Sequence, residues 1–268
     1  MIEEGRGDVK RCVLWCAGLL TVAGGAWAGE SWLARDGQAA AQIVMPEAAT
    51  PVERTAAQEL RQHLEKVTGS AFSIVTESSA KSGPRLLVGN TEASRRLAPD
   101  FVAARAAYDS ILLKTVGDDV LLTGHPQRGA LYAVYTFLED VVGVRWWTSD
   151  ETFIPRLPDL PLPKLDMRYA PKLRFRESYY LDAFDALFKT RLKGNVSSRT
   201  RYMLAPMEMI PEAYGGNHRL IHFKGRNSAY HSFYELVPPN VYFDRHPEWF
   251  SEIKGTRTHK GAQLCLTN

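Results

Sequence analysis

The fold is decided by residues 128–147, whose sequence is RGALYAVYTFLEDVVGVRWW. Apolar residues recur there at the three- and four-residue spacing of an amphipathic helix, and Gly143 follows as a typical helix-ending glycine. Residues 144–147 predict a strand directly after it. The stretch therefore predicts a helix that packs on a sheet. The apolar stripe consists of Leu131, Val134, Tyr135, Leu138, Val141 and Val142.

The residues before this helix predict the rest of an α/β layer. A helix begins at Thr50-Pro51, since threonine is a good N-cap and proline fits the first turn, and it ends at Gly69. The remaining predicted elements are strands at 39–45, 72–76 and 85–88, a short helix at 92–97, and a hairpin of 110–116 with 120–123. We expect residues 29–150 to form a small α/β N-terminal domain with a mixed sheet.

A proline-rich stretch follows. Five prolines lie within the 17 residues from Pro155 to Pro171. Proline lacks the backbone donor that a helix interior or a central strand needs. Residues 151–170 are therefore predicted to be an extended linker, with a second domain at 171–268. That domain is predicted to open with a strand at 173–179 and a helix at 182–192.

The N-terminus has the three parts of a secretory signal peptide. Lys10 and Arg11 precede an apolar run, and the segment ends Ala26-Trp27-Ala28. Residues 1–28 are thus predicted to be a signal peptide, and the protein to be exported to the periplasm or beyond, with no stable membrane insertion after cleavage. The alternative is an uncleaved N-terminal anchor, although the run is shorter than the ~20 residues of a comfortable span.

The composition limits which binding partners and cofactors are expected. The 33 basic and 30 acidic residues give a net charge of +3 without a basic cluster, so no nucleic-acid partner is expected. Of three cysteines, only Cys265 lies outside the signal, where it is predicted to be a buried residue of a strand. The sequence contains no G-x-S-x-G, P-loop or dinucleotide motif, and no cofactor is expected.

Two stretches resemble known enzymes. Residues 128–147, together with 56–60 and 87–91, resemble the small non-catalytic N-terminal domain shared by β-hexosaminidases and α-glucuronidases. Residues 171–182 resemble the first barrel strand of the same superfamily. The tail resembles a bacterial family with an uncharacterised hydrolase-like barrel. The resemblance covers about residues 40–268 and implies an α/β domain followed by the first part of a (β/α)8 TIM barrel, truncated because a full barrel needs roughly 250 residues.

The resemblance implies an exported glycoside hydrolase-like protein acting on a polysaccharide or glycan, with α-glucuronidase-like or hexosaminidase-like ancestry. Glu177 stands where the hexosaminidase pattern has glycine, which weakens a transfer of N-acetylhexosamine specificity. The superfamily's acid and base carboxylates lie on later barrel strands, so the catalytic residues are unknown and expected beyond residue 268. A non-catalytic carbohydrate-binding or cell-surface module is the alternative.

Four residues are predicted to contact a carbohydrate substrate. Arg176 lies on the predicted barrel strand, and a guanidinium suits sugar hydroxyls or a uronate carboxylate; the alternative is an ion pair. His218 and His231 are predicted sugar-facing loop residues, or else solvated or core histidines. Trp147 is predicted to stack on a sugar, or to belong to an inter-domain core.

Two further motifs carry less weight. His218 and His222 have the i, i+4 spacing of a zinc site on a helix, but no His-Glu-x-x-His is present, and no metal is predicted; a zinc hydrolase is kept as a third hypothesis. Asn195-Val196-Ser197 is a glycosylation sequon, relevant only in a eukaryotic secretory host.

Overall fold

The computed structural model describes residues 27–178, 181–196, 210–218, 233–260 and 264–266. The chain divides into a unit of residues 1–216 and a unit of residues 217–268. Residues 1–26 of the predicted signal peptide lie outside the described residues. The first strand begins at Trp27, two positions before the expected start of the domain.

The strands are β1 (Trp27–Arg35), β2 (Gln38–Ala39), β3 (Gln42–Met45), β4 (Ile74–Thr76), β5 (Arg85–Val88), β6 (Ile111–Val116), β7 (Asp119–Gly124), β8 (Arg145–Trp146), β9 (Thr152–Phe153), β10 (Leu160–Pro163), β11 (Asp166–Tyr169), β12 (Glu252–Ile253) and β13 (Thr256–Arg257). The helices are α1 (Pro51–Thr68), α2 (Glu92–Leu97), α3 (Gly129–Thr136), α4 (Ala186–Arg191), α5 (Phe233–Leu236) and α6 (Pro239–Tyr242).

The first unit is built on a mixed six-stranded sheet, as predicted. Its order is β11-β6-β7-β5-β3-β4. Strands β4, β3, β5 and β7 run parallel, whereas β6 and β11 are antiparallel to their neighbours. Alternate residues serve opposite faces: Ile43 and Leu86 pack under α1 and α3, while Val44 and Leu87 pack with Ala93 of α2. The expected α/β layer is confirmed.

Helix α1 begins and ends where the sequence predicts. Thr50 accepts a hydrogen bond from the Glu53 backbone, and the Glu53 carboxylate accepts one from the Thr50 backbone, which completes a capping box. Gly69 closes the helix in the left-handed conformation, with φ 75°. Leu60 and Leu64 on its inner face are fully buried.

Helix α3 lies at the centre of the core, and every one of its residues is buried. A π-helical turn (Phe137–Val142) continues it to Gly143, the glycine predicted to end the helix. The helix sits so close to the sheet that a Cβ on Gly129 would lie 2.4 Å from the Gly124 carbonyl carbon. Glycine at both positions therefore permits the contact.

Residues 151–170, expected to be a linker, are built into the sheets. Strand β10 pairs with β1, and β11 pairs with β6 at the edge of the main sheet. The stretch is extended, as its prolines require. Pro161 and Pro163 are tolerated because β10 is itself an edge strand, where a missing backbone donor breaks no ladder on the open side.

The segment after this stretch is part of the first unit and packs against its core. No strand occurs in residues 171–178, so the strand expected at 173–179 is absent from the part of it that the structure describes. Side chains and carbonyls of this segment are instead bound by the buried polar groups described below. Phe188 of α4 joins the main core. Tyr179 and Tyr180 lie outside the described residues.

The unit of residues 217–268 has short elements. Strands β12 and β13 form an antiparallel pair, and Phe250 bridges Leu264. The backbone of Cys265, a half-buried residue, donates to Trp249 O over 2.9 Å. The opening of a TIM barrel stays a prediction. None of the described helices combines the length and apolar character needed to cross a bilayer.

Candidate functional site

A buried carboxylate in the first unit gathers two arginines and an asparagine. Arg128 Nε donates to Asp109 Oδ1 over 2.8 Å, and Arg176 Nη2 donates to Oδ2 over 2.7 Å. The Asn195 amide also donates to Oδ2, over 2.8 Å. The side chains of Asp109 and Arg128 are fully enclosed. We call these four residues the Asp109 joint.

The joint draws on four separate places in the fold. Asp109 lies two residues before the start of β6. Its backbone is left-handed, with φ 57°, a conformation that aspartate tolerates better than most residues. Arg128 is the residue before α3. Arg176 and Asn195 flank α4 and bind each other, since the Arg176 backbone donates to Asn195 Oδ1 over 2.9 Å. The joint thereby fastens the α4 segment to the hairpin.

Arg128 also holds a glycine turn. Its Nη1 donates to Gly215 O over 3.0 Å and to Gly216 O over 2.9 Å. A Cβ on Gly215 would lie 2.1 Å from Arg128 Cγ, and its φ of 93° is left-handed. Glycine is therefore required at 215 for the turn to approach the guanidinium.

The electrostatics of the joint favour the ionised form of Asp109. Burial alone raises the pKa of the Asp109 carboxyl, but Arg128, Arg176 and Asn195 together bring that pKa below its ordinary value. Burial, and then the Asp109 charge, raises the pKa of the neighbouring Tyr132 hydroxyl, which donates to Gly194 O over 2.7 Å. A carboxylate so fully bound is a poor proton carrier. The joint is suited to positioning rather than to acid–base chemistry.

The structure places Arg176 in this joint. Its Nε donates to Lys193 O and its Nη1 to Leu173 O, each over 2.9 Å. One-fifth of its side chain remains exposed. The predicted ion-pair role is thus present, with Asp109 of the first unit as partner rather than a barrel acid. A sugar contact through the exposed edge stays a prediction.

Trp147 lies on the surface just after β8. Its side chain is 59% exposed, and that of Phe153 on β9 is 53% exposed. The Trp147 backbone donates to Glu151 O over 3.0 Å, which holds the ring on the β8–β9 hairpin. Trp146 points the other way and is buried. In the described part of the first unit, no hydrogen bond or ring contact joins Trp147 to Arg176.

The predicted histidines are distributed differently. His218 belongs to the second unit and is buried. His231 lies outside the described residues, as does His222 of the zinc hypothesis. Among the residues that the structure describes, no group of three or more histidine, cysteine, aspartate or glutamate side chains could hold a metal ion.

A second buried polar group lies between α1, α3 and α4. Arg191 Nη2 reaches Glu59 Oε2 over 3.4 Å, and His63 Nδ1 lies 2.8 Å from the Glu59 carbonyl. The rings of His63 and Tyr135 both meet the edge of Trp146, at centroid distances of 5.6 and 5.3 Å. We call these five residues the Glu59 cluster.

The Glu59 cluster is incompletely hydrogen-bonded. Among the described atoms, Tyr135 OH, Trp146 Nε1 and Arg191 Nε are buried without a hydrogen-bond partner. The Thr190 hydroxyl lies near Tyr135 but gives its own proton to Leu187 O, 2.8 Å away. Burial lowers the pKa of His63 below its ordinary value, outweighing the attraction of Glu59.

Sequence analysis missed Asp109 and Arg128 and noticed Asn195 for another reason. Asp109 lies 19 residues from Arg128 and 86 from Asn195, so no local spacing joins them. Asn195 was singled out as a sequon, yet its fully buried side chain is committed to the joint. The one usable signal was Arg128, a charged residue at the head of an otherwise apolar helix.

Comparison with known protein families matches two parts of the chain. Residues 31–137 match the family model described as "Glycosyl hydrolase family 67 N-terminus". The predicted resemblance is confirmed. Residues 146–268 match a domain of unknown function, DUF4838. Comparison with curated proteins finds no match.

One similar solved structure is a family GH115 4-O-methyl-α-glucuronidase, BtGH115A, with specificity for decorated arabinogalactans. The identity is 16% and the TM-score 0.44, with 60% of this chain and 24% of that enzyme covered. The chain thus spans about a quarter of that enzyme's length. The match of residues 31–137 to the family 67 N-terminus model supports a glycoside hydrolase-related, carbohydrate-related function.

Proposed function

We propose that the chain belongs to an exported glycoside hydrolase-like protein that acts on a polysaccharide or glycan in the manner of an α-glucuronidase. The match of residues 31–137 to the family 67 N-terminal domain carries this proposal. In it, residues 171–268 begin a TIM barrel, and the catalytic carboxylates come from outside this chain. Hexosaminidase-like ancestry is the less favoured variant, because of Glu177.

Within the first unit, the Asp109 joint supports a positioning role. It fixes the α4 segment against a rigid sheet through charge-assisted hydrogen bonds, which are stronger than neutral ones. Active-site residues need such support, because small misplacements cost much of the rate. In this proposal Arg176, His218, His231 and Trp147 contact the carbohydrate.

Trp147 gives the sharpest test. Exposed tryptophan rings offer a large flat apolar face, which suits the C–H face of a sugar ring. We expect the purified chain to be retarded in gels containing glucuronic acid-decorated arabinogalactan. Trp147→Ala should weaken that retardation about ten-fold, a loss of about 1.4 kcal/mol.

The matched control is Tyr169→Ala, which removes another exposed aromatic ring at the edge of the main sheet. It should bind as the unaltered protein does. Absence of retardation by every glycan in a panel of decorated and undecorated polymers would contradict the proposal. Robust release of sugar by this chain alone would contradict its catalytic incompleteness.

A non-catalytic carbohydrate-binding module is the second candidate, and two exposed aromatic side chains, Trp147 and Phe153, favour it. Both candidates predict binding. They differ in whether an extended reading frame adds catalytic carboxylates. If extension of the reading frame adds strands with carboxylates at their ends, and the extended protein releases sugar, the hydrolase stands. If an extended protein binds but releases none, the module stands.

A further inference from the structure

A cavity of about 400 Å³ opens at the C-terminal ends of the parallel strands of the main sheet. It lies where the parallel strands β3, β5 and β7 end, and the loops after these strands line it. After β3 the chain enters α1 on one face of the sheet, whereas after β5 it enters α2 on the other. Ligands of open α/β sheets bind in such crevices, and small-molecule sites measure roughly 300–1,000 Å³.

The usual ligand of such a crevice is an anion held by a helix N-terminus. Here the protein's own carboxylates fill those positions. Glu53 binds the Thr50 backbone at the start of α1, over 2.8 Å. Glu77 binds the backbones of Glu92 and Ala93 at the start of α2, each over 2.8 Å. Both helix ends are thereby neutralised from within.

The remaining lining is acidic. Glu47 and Glu92 join Glu53 and Glu77, so the lining contains four acidic residues and one basic residue, Arg95. His125, which also lines the cavity, adds no compensating charge at neutral pH, because burial lowers its pKa. An anionic ligand would be repelled, whereas hydroxyl or ammonium donors would be attracted.

The acceptors are held in fixed positions. Besides the bonds above, Glu53 Oε1 accepts from the Asn90 backbone over 2.8 Å, and Glu47 Oε1 accepts from the Ser78 backbone over 2.6 Å. Glu53 Oε2 accepts from both the amide and the hydroxyl of Thr50, whereas Glu53 Oε1 and the two Glu77 oxygens each accept one of these bonds and keep a lone pair for a ligand. A Cβ on Gly89 would lie 2.4 Å from Glu53 Oε1, so glycine at 89 keeps this acceptor in place.

We propose that this crevice, which no family match assigns a role, binds a sugar unit that carries hydroxyl or ammonium donors and no acid group. The inference rests on the proposed function for the choice of a sugar. It adds a subsite, separate from Trp147, that selects non-acidic residues of a glycan. A uronate bound elsewhere on the protein would leave this crevice unoccupied.

The experiment is a titration of the isotopically labelled chain followed by amide chemical shifts. The probes are glucose, glucosamine, glucuronate and the non-sugar amine propylamine. We expect glucose and glucosamine to shift the amides of residues 46–53, 89–95 and 123–130. Glucuronate should bind there at least about ten-fold more weakly than glucose.

Ala48→Trp is the blocking variant, since Ala48 is exposed at the cavity and its side chain holds no hydrogen bond to lose. It should weaken the sugar response at least about ten-fold. Ala71→Trp is the matched control. Ala71 is also exposed, but it lies before the start of β4, whereas the cavity lies beyond the ends of the parallel strands. It should titrate as the unaltered chain does.

The outcomes separate this inference from the proposed function. A glucose response of the crevice amides that Ala48→Trp leaves unchanged, or equal shifts with glucuronate, would overturn the crevice and spare the proposed function. A response to propylamine as strong as that to glucosamine would identify a general cation patch and would also overturn it. Failure of every glycan to bind would overturn both.

Discussion

The first unit contains two buried polar groups that do the same mechanical job in different ways. Both tie the α4 segment to the α/β layer: Asp109 through Arg176 and Asn195, and Glu59 through Arg191. In the Asp109 joint the carboxylate is bound by three side chains at 2.7–2.8 Å. In the Glu59 cluster the ion pair is longer, at 3.4 Å, and buried polar atoms lack partners.

The difference shows how burial acts on polar groups. A buried charge is tolerated when hydrogen bonds replace its water, and an incompletely bonded group costs free energy instead. The Asp109 joint meets this condition and stays ionised. The Glu59 cluster meets it in part, and burial there lowers the pKa of His63. The first group should therefore contribute stability, and the second should limit it.

Asp109→Asn should produce the largest effect. The amide keeps the shape but removes the charge that compensates Arg128 and Arg176, and its nitrogen cannot accept from a guanidinium. Breaking a buried pair in this way costs about 3–5 kcal/mol. Urea unfolding followed by circular dichroism measures the loss.

Asp100→Asn is the matched control for that variant. Asp100 pairs with Arg168 on the surface, where solvent screens the interaction, so its substitution should leave the unfolding midpoint almost unchanged. Equal losses for the two variants would show that the joint is no more important than a surface pair.

Tyr132→Phe and Tyr135→Phe give the next largest contrast. Both tyrosines lie on α3 and are buried, but only Tyr132 donates a hydrogen bond, to Gly194 O. Loss of that bond should cost about 1–2 kcal/mol, whereas Tyr135→Phe should be neutral or slightly stabilising. Thermal and urea unfolding of the two single variants test this. A loss at Tyr135 as large as at Tyr132 would mean that its hydroxyl is bonded to Thr190 after all.

The pH dependence of stability is the smallest expected effect. The Asp109 joint and the Glu59 cluster should differ in the pH range over which each affects stability. His63 has a lowered pKa in the folded chain, so below its ordinary value of 6.5 the unfolded chain binds more protons than the folded one. Stability should fall as the pH is lowered from 7 toward 5. The groups that face His63 are Glu59, Arg191 and Lys66, and they set the remaining charge balance.

His63→Gln should flatten that pH dependence, measured as urea midpoints between pH 7 and 5. Asp109 should affect stability only at lower pH. Because its pKa is lowered in the folded chain, its contribution to stability is lost only below about pH 4, the ordinary pKa range of a carboxyl group. A slope between pH 7 and 5 that survives His63→Gln would assign the titration to another group.

Local patterns predicted the elements that carry their own signals. Thr50, Glu53 and Gly69 delimit α1 through backbone caps that lie within a few residues of each other. The apolar stripe of 128–147 gave α3, and the hairpin of 110–116 with 120–123 followed from the turn at residues 117–119. These signals are short-range, so a sequence suffices to read them.

The proline stretch and the α4 segment needed tertiary information. Proline indicated an extended chain at 151–170, but not that β10 and β11 would find sheet edges to join. Arg176 was expected on a strand facing a sugar, and its guanidinium is instead bound by Asp109, 67 residues away. A single sequence carries no trace of which distant charge a guanidinium will meet.

The sequence by itself determined the α/β layer, the caps of α1 and the resemblance to an α-glucuronidase N-terminal domain, because each depends on residues close together along the chain. The tertiary structure alone decided that Asp109, Arg128, Arg176 and Asn195 meet, that burial lowers the pKa of His63, and that carboxylates occupy the crevice at the ends of the parallel strands. Burial and long-range pairing set the charge state of a side chain, and both arise only when the chain has folded.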